Sequence, residues 1–499
     1  MNYSLLLNLV APEVLIVLAA LGVLVIDLTT MRGSSWKSRM QAGAGMTVLG
    51  CAAAVLALAL TPATTPSGYL GGMLALSPLS VLVKLVLLAL TLFTALFALE
   101  SNFTDHVGEY FALLLLATAG MMFLVSTENL LMIFVSLELL SLCLYILTAF
   151  NKDNPSSAEA ALKYFLFGGM SAAFLLFGLS LVYGLTGELE LGRIAAKVGP
   201  GGLKLDTLFV LALLMVVAGF GFKGAAAPFH LWAPDAYQGA PMPSAALIAS
   251  GSKVASFFIL AKVLMAGAAG AEGSAGWRNV VQGWAPMLAV VATLSVLIGN
   301  LAAIAQTSVR RLLAYSAIAH AGYVLTGLLA SDHREAMASV LFYVVTYALT
   351  AVGAFAVIGV VQNATGDDRL TAFAGLAGRA PLLSGCMMIF MLSLAGIPPL
   401  AGFFGKFYLF KGALLSKGPA QPLGLFWLII LALAMSAVSL YYYLQVLKQI
   451  YVRPAPEGAL PVQTAFLSKV TLVAVAGSVL VFGCFPNLLL RPILEAIGG

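Results

Sequence analysis

The stretch GFKGAAAPFHLWAPDAYQGAP, residues 221–241, decides how this chain is read. It breaks a hydrophobic segment with Gly and Pro and places Lys223 inside it. LSLAGIPPLAGFFGKFYLF, residues 392–410, does the same around Lys406. A third lysine, Lys253, sits in the apolar run PSAALIASGSKVASFFILAKVL, residues 243–264. Charge inside a bilayer is costly and is retained for ion pathways, relays or paired contacts. Interrupted helices at membrane depth are tolerated only against protein or a wet cavity. Together these features indicate an ion-conducting interior rather than a simple anchor.

Working outward, hydrophobic residues make up 61% of the 499-residue chain and charged residues 9%. Soluble domains carry roughly 25% charged residues, so the chain is a polytopic membrane protein. With about 20 apolar residues per crossing, about fourteen spans are expected, from 9–28 to 465–485. The seventh (205–237) and twelfth (381–416) are read as broken, and the eighth (243–266) as continuous. The expected fold class is therefore all-α and integral to the membrane, in one polytopic domain. Little sequence remains for a soluble domain. A nucleotide, flavin or iron–sulfur site is not expected, and the net charge of +5 requires no nucleic-acid partner. Cys51, Cys143, Cys386 and Cys484 fall within spans without metal-ligand spacing and read as buried packing residues. The start lacks a basic region, and Glu13 interrupts its apolar run, so it reads as a first span rather than a cleavable signal.

The two broken spans are five apart, an odd number, which gives their units opposite topology. This is the pattern of inverted repeats with a binding element at their interface. The expected division is an N-terminal three-helix segment (1–108), two five-helix units (109–267 and 284–452) and a C-terminal helix (453–499). Loop lysines and arginines weakly favour both termini outside, ten inner against seven outer, with Lys204 and Lys417 among the outer ones.

Glu138, mid-span in NLLMIFVSLELLSLCLYIL, requires a partner or a proton, and Lys223 is the expected partner. Lys223, Lys253 and Lys406 then read as a lateral proton relay, because a desolvated lysine releases its proton more readily than an arginine does. His320 and His230 are candidate neutral shuttles. The alternatives are a static Glu138–Lys223 pair, a Lys253 tied to backbone carbonyls, and structural histidines. Lys262 reads as a snorkelling residue. Lys163 reads as an i+4 partner of Glu159 that could feed protons inward, and Lys84 stays open. A row of ammonium groups repels sodium, so protons are the expected ion, although Glu13, Asp27, Glu128 and Glu138 leave sodium open. No metal site and no cofactor site are expected on the chain.

KGAAAPFHLWAPDAYQGAPMPSAALIASGSK resembles the signature of the antiporter-like membrane subunits of respiratory complex I and the Mrp cation/proton antiporters. SLELLSLCLYIL, RRLLAYSAIAHAGY and AGIPPLAGFFGKF resemble three further motifs in the expected order, and the likeness is densest from Glu109 to Lys448. The LELLSLCLYIL and GKF forms are most similar to the subunit N branch of the proton-pumping NADH:quinone oxidoreductases. The chain stops soon after its fourteenth span, so the long lateral helix of the subunit L branch is not expected.

The resemblance implies that Glu138 is the fifth-span glutamate paired with Lys223. It makes Lys253 the connecting lysine and Lys406 the lysine near the outward half-channel. It puts His320 in the central region with an unsettled role and assigns His230 no catalytic one. Gln238 departs from the motif, where an acidic residue is common. NADH, FMN, iron–sulfur clusters and quinone would lie on partner subunits, and the neighbours would be other membrane-arm subunits in a bacterial inner membrane. The alternative is an Mrp-type cation/proton antiporter subunit, which would run on an ion gradient without redox partners.

Overall fold

The computed structural model describes residues 3–61, 64–65, 69–198, 206–415, 423–459 and 461–498. Lys204 and Lys417, used in the charge bias, lie outside them. The helices in order are α1 Tyr3–Leu28, α2 Trp36–Leu60, α3 Pro78–Ala98, α4 Val107–Val125, α5 Leu130–Thr148 and α6 Pro155–Thr186. Then come α7 Leu191–Val198, α8 Thr207–Lys223, α9 Ala233–Gly239, α10 Met242–Ala249, α11 Gly251–Lys262, α12 Trp284–Ile304 and α13 Val309–Leu328. The last are α14 His333–Thr365, α15 Leu376–Arg379, α16 Pro381–Ala395, α17 Ala401–Leu415, α18 Phe426–Tyr451, α19 Phe466–Cys484 and α20 Asn487–Gly498.

Eleven described helical segments are long and apolar enough to cross a membrane. Three further crossings are the α8–α9 pair, the α16–α17 pair and α13, whose Arg310, Arg311 and His320 lower its hydropathy. The chain is thus an all-α integral membrane protein with interruptions in its seventh and twelfth crossings. Polar side chains start many helices by accepting from exposed backbone N–H groups: Asn129 for α5, Asn154 for α6, Asp206 for α8, Ser308 for α13 and Asp332 for α14. Asn154 followed by Pro155 explains why α6 begins five residues before the expected 160.

α14 is the axis of the molecule. Every residue from 336 to 361 is buried, as expected of a helix that is apolar all round. It packs against α3, α10, α11, α13, α16, α17, α19 and α20, so both broken crossings abut it directly or through α10 and α13. The N-terminal helices are integrated with the rest: α1 packs on α4, and α3 reaches α10, α11 and α14.

Three expectations change. The eighth crossing is not continuous: Ser250 (φ −119°, ψ −85°) divides α10 from α11, with its hydroxyl turned back to the Ala246 carbonyl at 2.6 Å. Cys484 is exposed, unlike the other three cysteines, because it ends the peripheral α19. A short hairpin, β1 Ser274–Gly276 with β2 Asn279–Val281, and the amphipathic α7 and α20 were not anticipated.

Candidate relay site

Each helix break leaves carbonyls without an intrahelical partner, and in a bilayer water cannot supply one. The buried lysines supply it. At the α16–α17 break, Lys406 Nζ donates to the carbonyls of Leu394 (3.0 Å) and Ala395 (3.1 Å) and to Ser436 Oγ (2.9 Å). Its ammonium also lies 5.2 Å from the centre of the Tyr323 ring, a cation–π contact. Gly396 closes α16 in the left-handed region (φ 85°), and a Cβ there would meet the Lys406 side chain at 3.1 Å. Glycine is required twice over at this position.

The α8–α9 break repeats the device. α8 ends at Lys223, and the carbonyl of Gly224 just beyond it accepts from Lys253 Nζ at 3.1 Å. Lys253 also donates to the Ala317 carbonyl on α13 at 3.0 Å and stands 5.9 Å from the Tyr347 ring. The carbonyl-bound Lys253 foreseen as an alternative is therefore what the structure contains. One of its carbonyls adjoins Lys223, so the same bond also joins the two lysine sites. The Ser250 break starts α11 two residues before Lys253 and turns it toward both acceptors.

Lys223 Nζ lies 3.6 Å from Glu138 Oε1, the expected pair, but it makes its close hydrogen bond to Ser141 Oγ. Ser141 stands one turn beyond Glu138 on α5 and escaped the sequence reading. The i+3 spacing on one helix face was the available signal. Tyr145, a turn further on, presents its ring 5.9 Å from Lys223.

His320 on α13 is buried. Its Nδ1 is 2.5 Å from the Tyr343 hydroxyl and its Nε2 3.0 Å from that of Tyr443. His230, between α8 and α9, is buried and is hydrogen-bonded to none of the relay lysines among the described residues.

The other charges resolve into pairs. Lys163 meets Glu159 at 2.7 Å, as expected, and also Asp235 at 2.8 Å. Asp235 in turn holds Arg311 at 2.6 Å, and Gln238 accepts from Arg311 at 3.2 Å. The unusual Gln238 thus still engages the arginine. Glu159, Asp235, Gln238 and Arg311 border a polar cavity of about 390 Å³, also lined by Asn154 and Gln362. Lys84 pairs with Glu13 at 2.6 Å with both side chains fully buried, and Asp27 pairs with Arg39 at 2.6 Å. Lys262 does not snorkel freely: it is bound to Glu128 at 2.9 Å. The four carboxylates that left sodium open are dispersed, each answered by a cation. Among the described residues no three His, Cys, Asp or Glu gather as a metal site.

Fourteen crossings among the described residues, breaks in the seventh, eighth and twelfth, and a lysine at the carbonyls of the seventh and twelfth breaks define an antiporter-like membrane domain. A family model described as "NADH:quinone oxidoreductase/Mrp antiporter, TM" matches residues 127–435, more than half of the chain. A relative from Acidobacterium capsulatum named NADH-quinone oxidoreductase subunit N 2 is 52% identical, covering 98% of this chain and 99% of its own. A chain of respiratory complex I from Thermus thermophilus superposes with a TM-score of 0.77 at 34% identity, covering 96% of this chain and 98% of its own. A chain of the Mrp complex from Dietzia sp. DQ12-45-1b gives 0.80 at 20% identity over 100% and 97%. That likeness speaks to the fold alone. The chain belongs to the NADH-quinone oxidoreductase subunit N family.

Proposed function

We propose that this chain is a proton-translocating membrane-arm subunit of an NADH:quinone oxidoreductase, assembled with other membrane-arm subunits. It moves protons laterally through Glu138, Lys223, Lys253 and Lys406, driven by redox chemistry on its partners. The single observation that carries this reading is the bond from Lys253 to Gly224. It puts the ammonium of one relay lysine against the backbone that terminates the helix of the next. A charge change at Glu138–Lys223 acts on Lys253 through this shared element, because a cation responds to nearby charge and to helix-end dipoles in a low-dielectric interior.

In this reading the loose 3.6 Å Glu138–Lys223 contact is the switch. Lys223 holds its proton while Glu138 faces it, and Ser141 keeps the ammonium hydrogen-bonded when that attraction weakens. NADH, FMN, iron–sulfur clusters and quinone are assigned to partner subunits. The units 109–267 and 284–452 are inverted repeats, flanked by the segments 1–108 and 453–499. The membrane is a bacterial inner membrane with both termini outside. The cavity lined by Glu159, Asp235 and Arg311 then faces inward as the proton entry. The Mrp-type alternative has in its favour the fold and the family model that both groups share.

The test follows NADH-driven quinone reduction and proton uptake together in membrane vesicles carrying Lys223→Ala, after assembly is verified. A fall in both with the complex intact supports the relay. Wild-type rates of both in an assembled variant would make Lys223 structural.

A further inference from the structure

Between Lys253 and Lys406 lies a run of buried hydroxyls that the relay residues alone do not use. Ser316 Oγ and the Tyr443 hydroxyl are 2.5 Å apart, Tyr443 is 3.0 Å from His320 Nε2, and His320 Nδ1 is 2.5 Å from the Tyr343 hydroxyl. All four groups are buried. They come from three helices, α13, α18 and α14, so the chain of contacts is tertiary rather than a local helix pattern. Its two ends point to the two lysines. Ser316 immediately precedes Ala317, whose carbonyl accepts from Lys253. The Tyr343 ring lies against the backbone of Gly405, the residue before Lys406, where a Cβ would come within 2.4 Å of the ring. Glycine at 405 is what admits the tyrosine.

We infer that Ser316, Tyr443, His320 and Tyr343 form the proton wire that connects Lys253 to Lys406, with Tyr443 and Tyr343 as its essential hydroxyl links. The inference rests on the relay function proposed above. A neutral imidazole donates from one ring nitrogen and accepts at the other, so it fits between two hydroxyls in either tautomer. With Nδ1 protonated, Ser316 donates to Tyr443, Tyr443 donates to Nε2, and Nδ1–H donates to the Tyr343 oxygen. A proton reaching Ser316 from the Lys253 side displaces the serine proton to Tyr443, which passes its own to Nε2. Nδ1 gives its proton to Tyr343, and the former Tyr343 proton leaves toward Lys406. One proton enters and one leaves, and no residue keeps a net charge. Every donor–acceptor direction is then reversed, so rotation of the hydroxyls and exchange of the imidazole tautomer must precede the next transfer. The wire therefore passes one proton per reset. At each end the proton passes between the lysine and the wire by a lysine rotamer change or through intervening water.

Phenylalanine at 343 or 443 removes the hydroxyl and keeps the ring, so packing around α14 and α18 is preserved. The test is made on the assembled oxidoreductase in proteoliposomes, following proton translocation per NADH oxidised and the solvent deuterium isotope effect. Lys253→Gln and Tyr110→Phe serve as references, since the buried Tyr110 on α4 packs among Phe103, Phe111 and Phe150 rather than on the wire. Tyr343→Phe and Tyr443→Phe are expected to slow coupled proton translocation at least about tenfold, short of the roughly hundredfold that marks the lower end of what a positioned proton donor contributes. The isotope effect is expected to rise, and Tyr110→Phe to behave as wild type. Wild-type translocation and isotope effect in both phenylalanine variants, with Lys253→Gln defective, would overturn the wire and leave the relay standing. Wild-type translocation in Lys253→Gln as well would overturn the relay itself. If either phenylalanine variant fails to assemble, amide exchange in α13 and translocation by the assembling one of the pair decide between the same two results.

Discussion

Replacing Lys406 by methionine keeps the unbranched apolar stem and removes the donor. In the native break the ammonium satisfies the carbonyls of Leu394 and Ala395 at 3.0 and 3.1 Å and the oxygen of Ser436 at 2.9 Å. Ser436 can rotate toward another partner. The two carbonyls cannot, because they end α16 and the chain turns away at Gly396. An unsatisfied buried carbonyl costs about 1–3 kcal/mol. Two of them weaken the break by about 2–6 kcal/mol, and by half of that if water reaches one. At about 1.4 kcal/mol per tenfold, 2 kcal/mol is about 30-fold in an opening equilibrium. The amides of Gly396 and Ile397 report that opening, since they close the end of α16 on the carbonyls of Leu392 and Ser393. Hydrogen–deuterium exchange of the peptide 392–410 in the assembled complex is the assay, with proton translocation measured in parallel. Lys406→Gln supplies an amide donor without a titratable proton. It is expected to restore most of the protection and none of the translocation. Wild-type exchange in the methionine variant would refute the capping argument, and wild-type pumping in the glutamine variant would refute the proton role of Lys406.

The fully buried Glu13–Lys84 pair joins α1 to α3, and removing one partner leaves an unpaired charge costing about 3–5 kcal/mol. Glu13→Gln and Lys84→Met should each deplete the assembled complex on native gels, and the double variant should recover a substantial part; a double variant as poor as the worse single one would count against the pair. Asp235 bridges Lys163 and Arg311 with its side chain 26% exposed, so Asp235→Asn should change stability by no more than about 1 kcal/mol. Proton uptake in that variant should nevertheless slow and become more sensitive to ionic strength. Unchanged uptake kinetics at low and high salt would remove the cavity from the entry route.

The chain's outline was legible because the bilayer imposes it. Apolar runs of spanning length gave the crossings, and Gly and Pro beside a lysine gave the seventh and twelfth breaks. The Glu138–Lys223 pair followed from the cost of leaving either charge alone. What escaped depends on contacts between distant segments. Glu13 and Lys84, or Asp235 with Lys163 and Arg311, are far apart in sequence, and helices apolar on every side carry no phase to say which faces meet. Tyr343 and Tyr443 carry no motif of their own, and only the fold sets their hydroxyls on either side of His320. The Ser250 break has no proline to mark it. It is held by a serine hydroxyl and a backbone conformation that a single sequence does not advertise.

Lys253 is the middle link of the line, so the most direct test is the number of protons translocated per NADH oxidised by an assembled Lys253→Gln complex in proteoliposomes. The amide still donates a hydrogen bond to the Gly224 or Ala317 carbonyl but cannot carry a proton. The account expects fewer protons per NADH, together with slower coupled turnover. A wild-type ratio at wild-type turnover would contradict it and leave the buried lysines as caps for broken helices and nothing more.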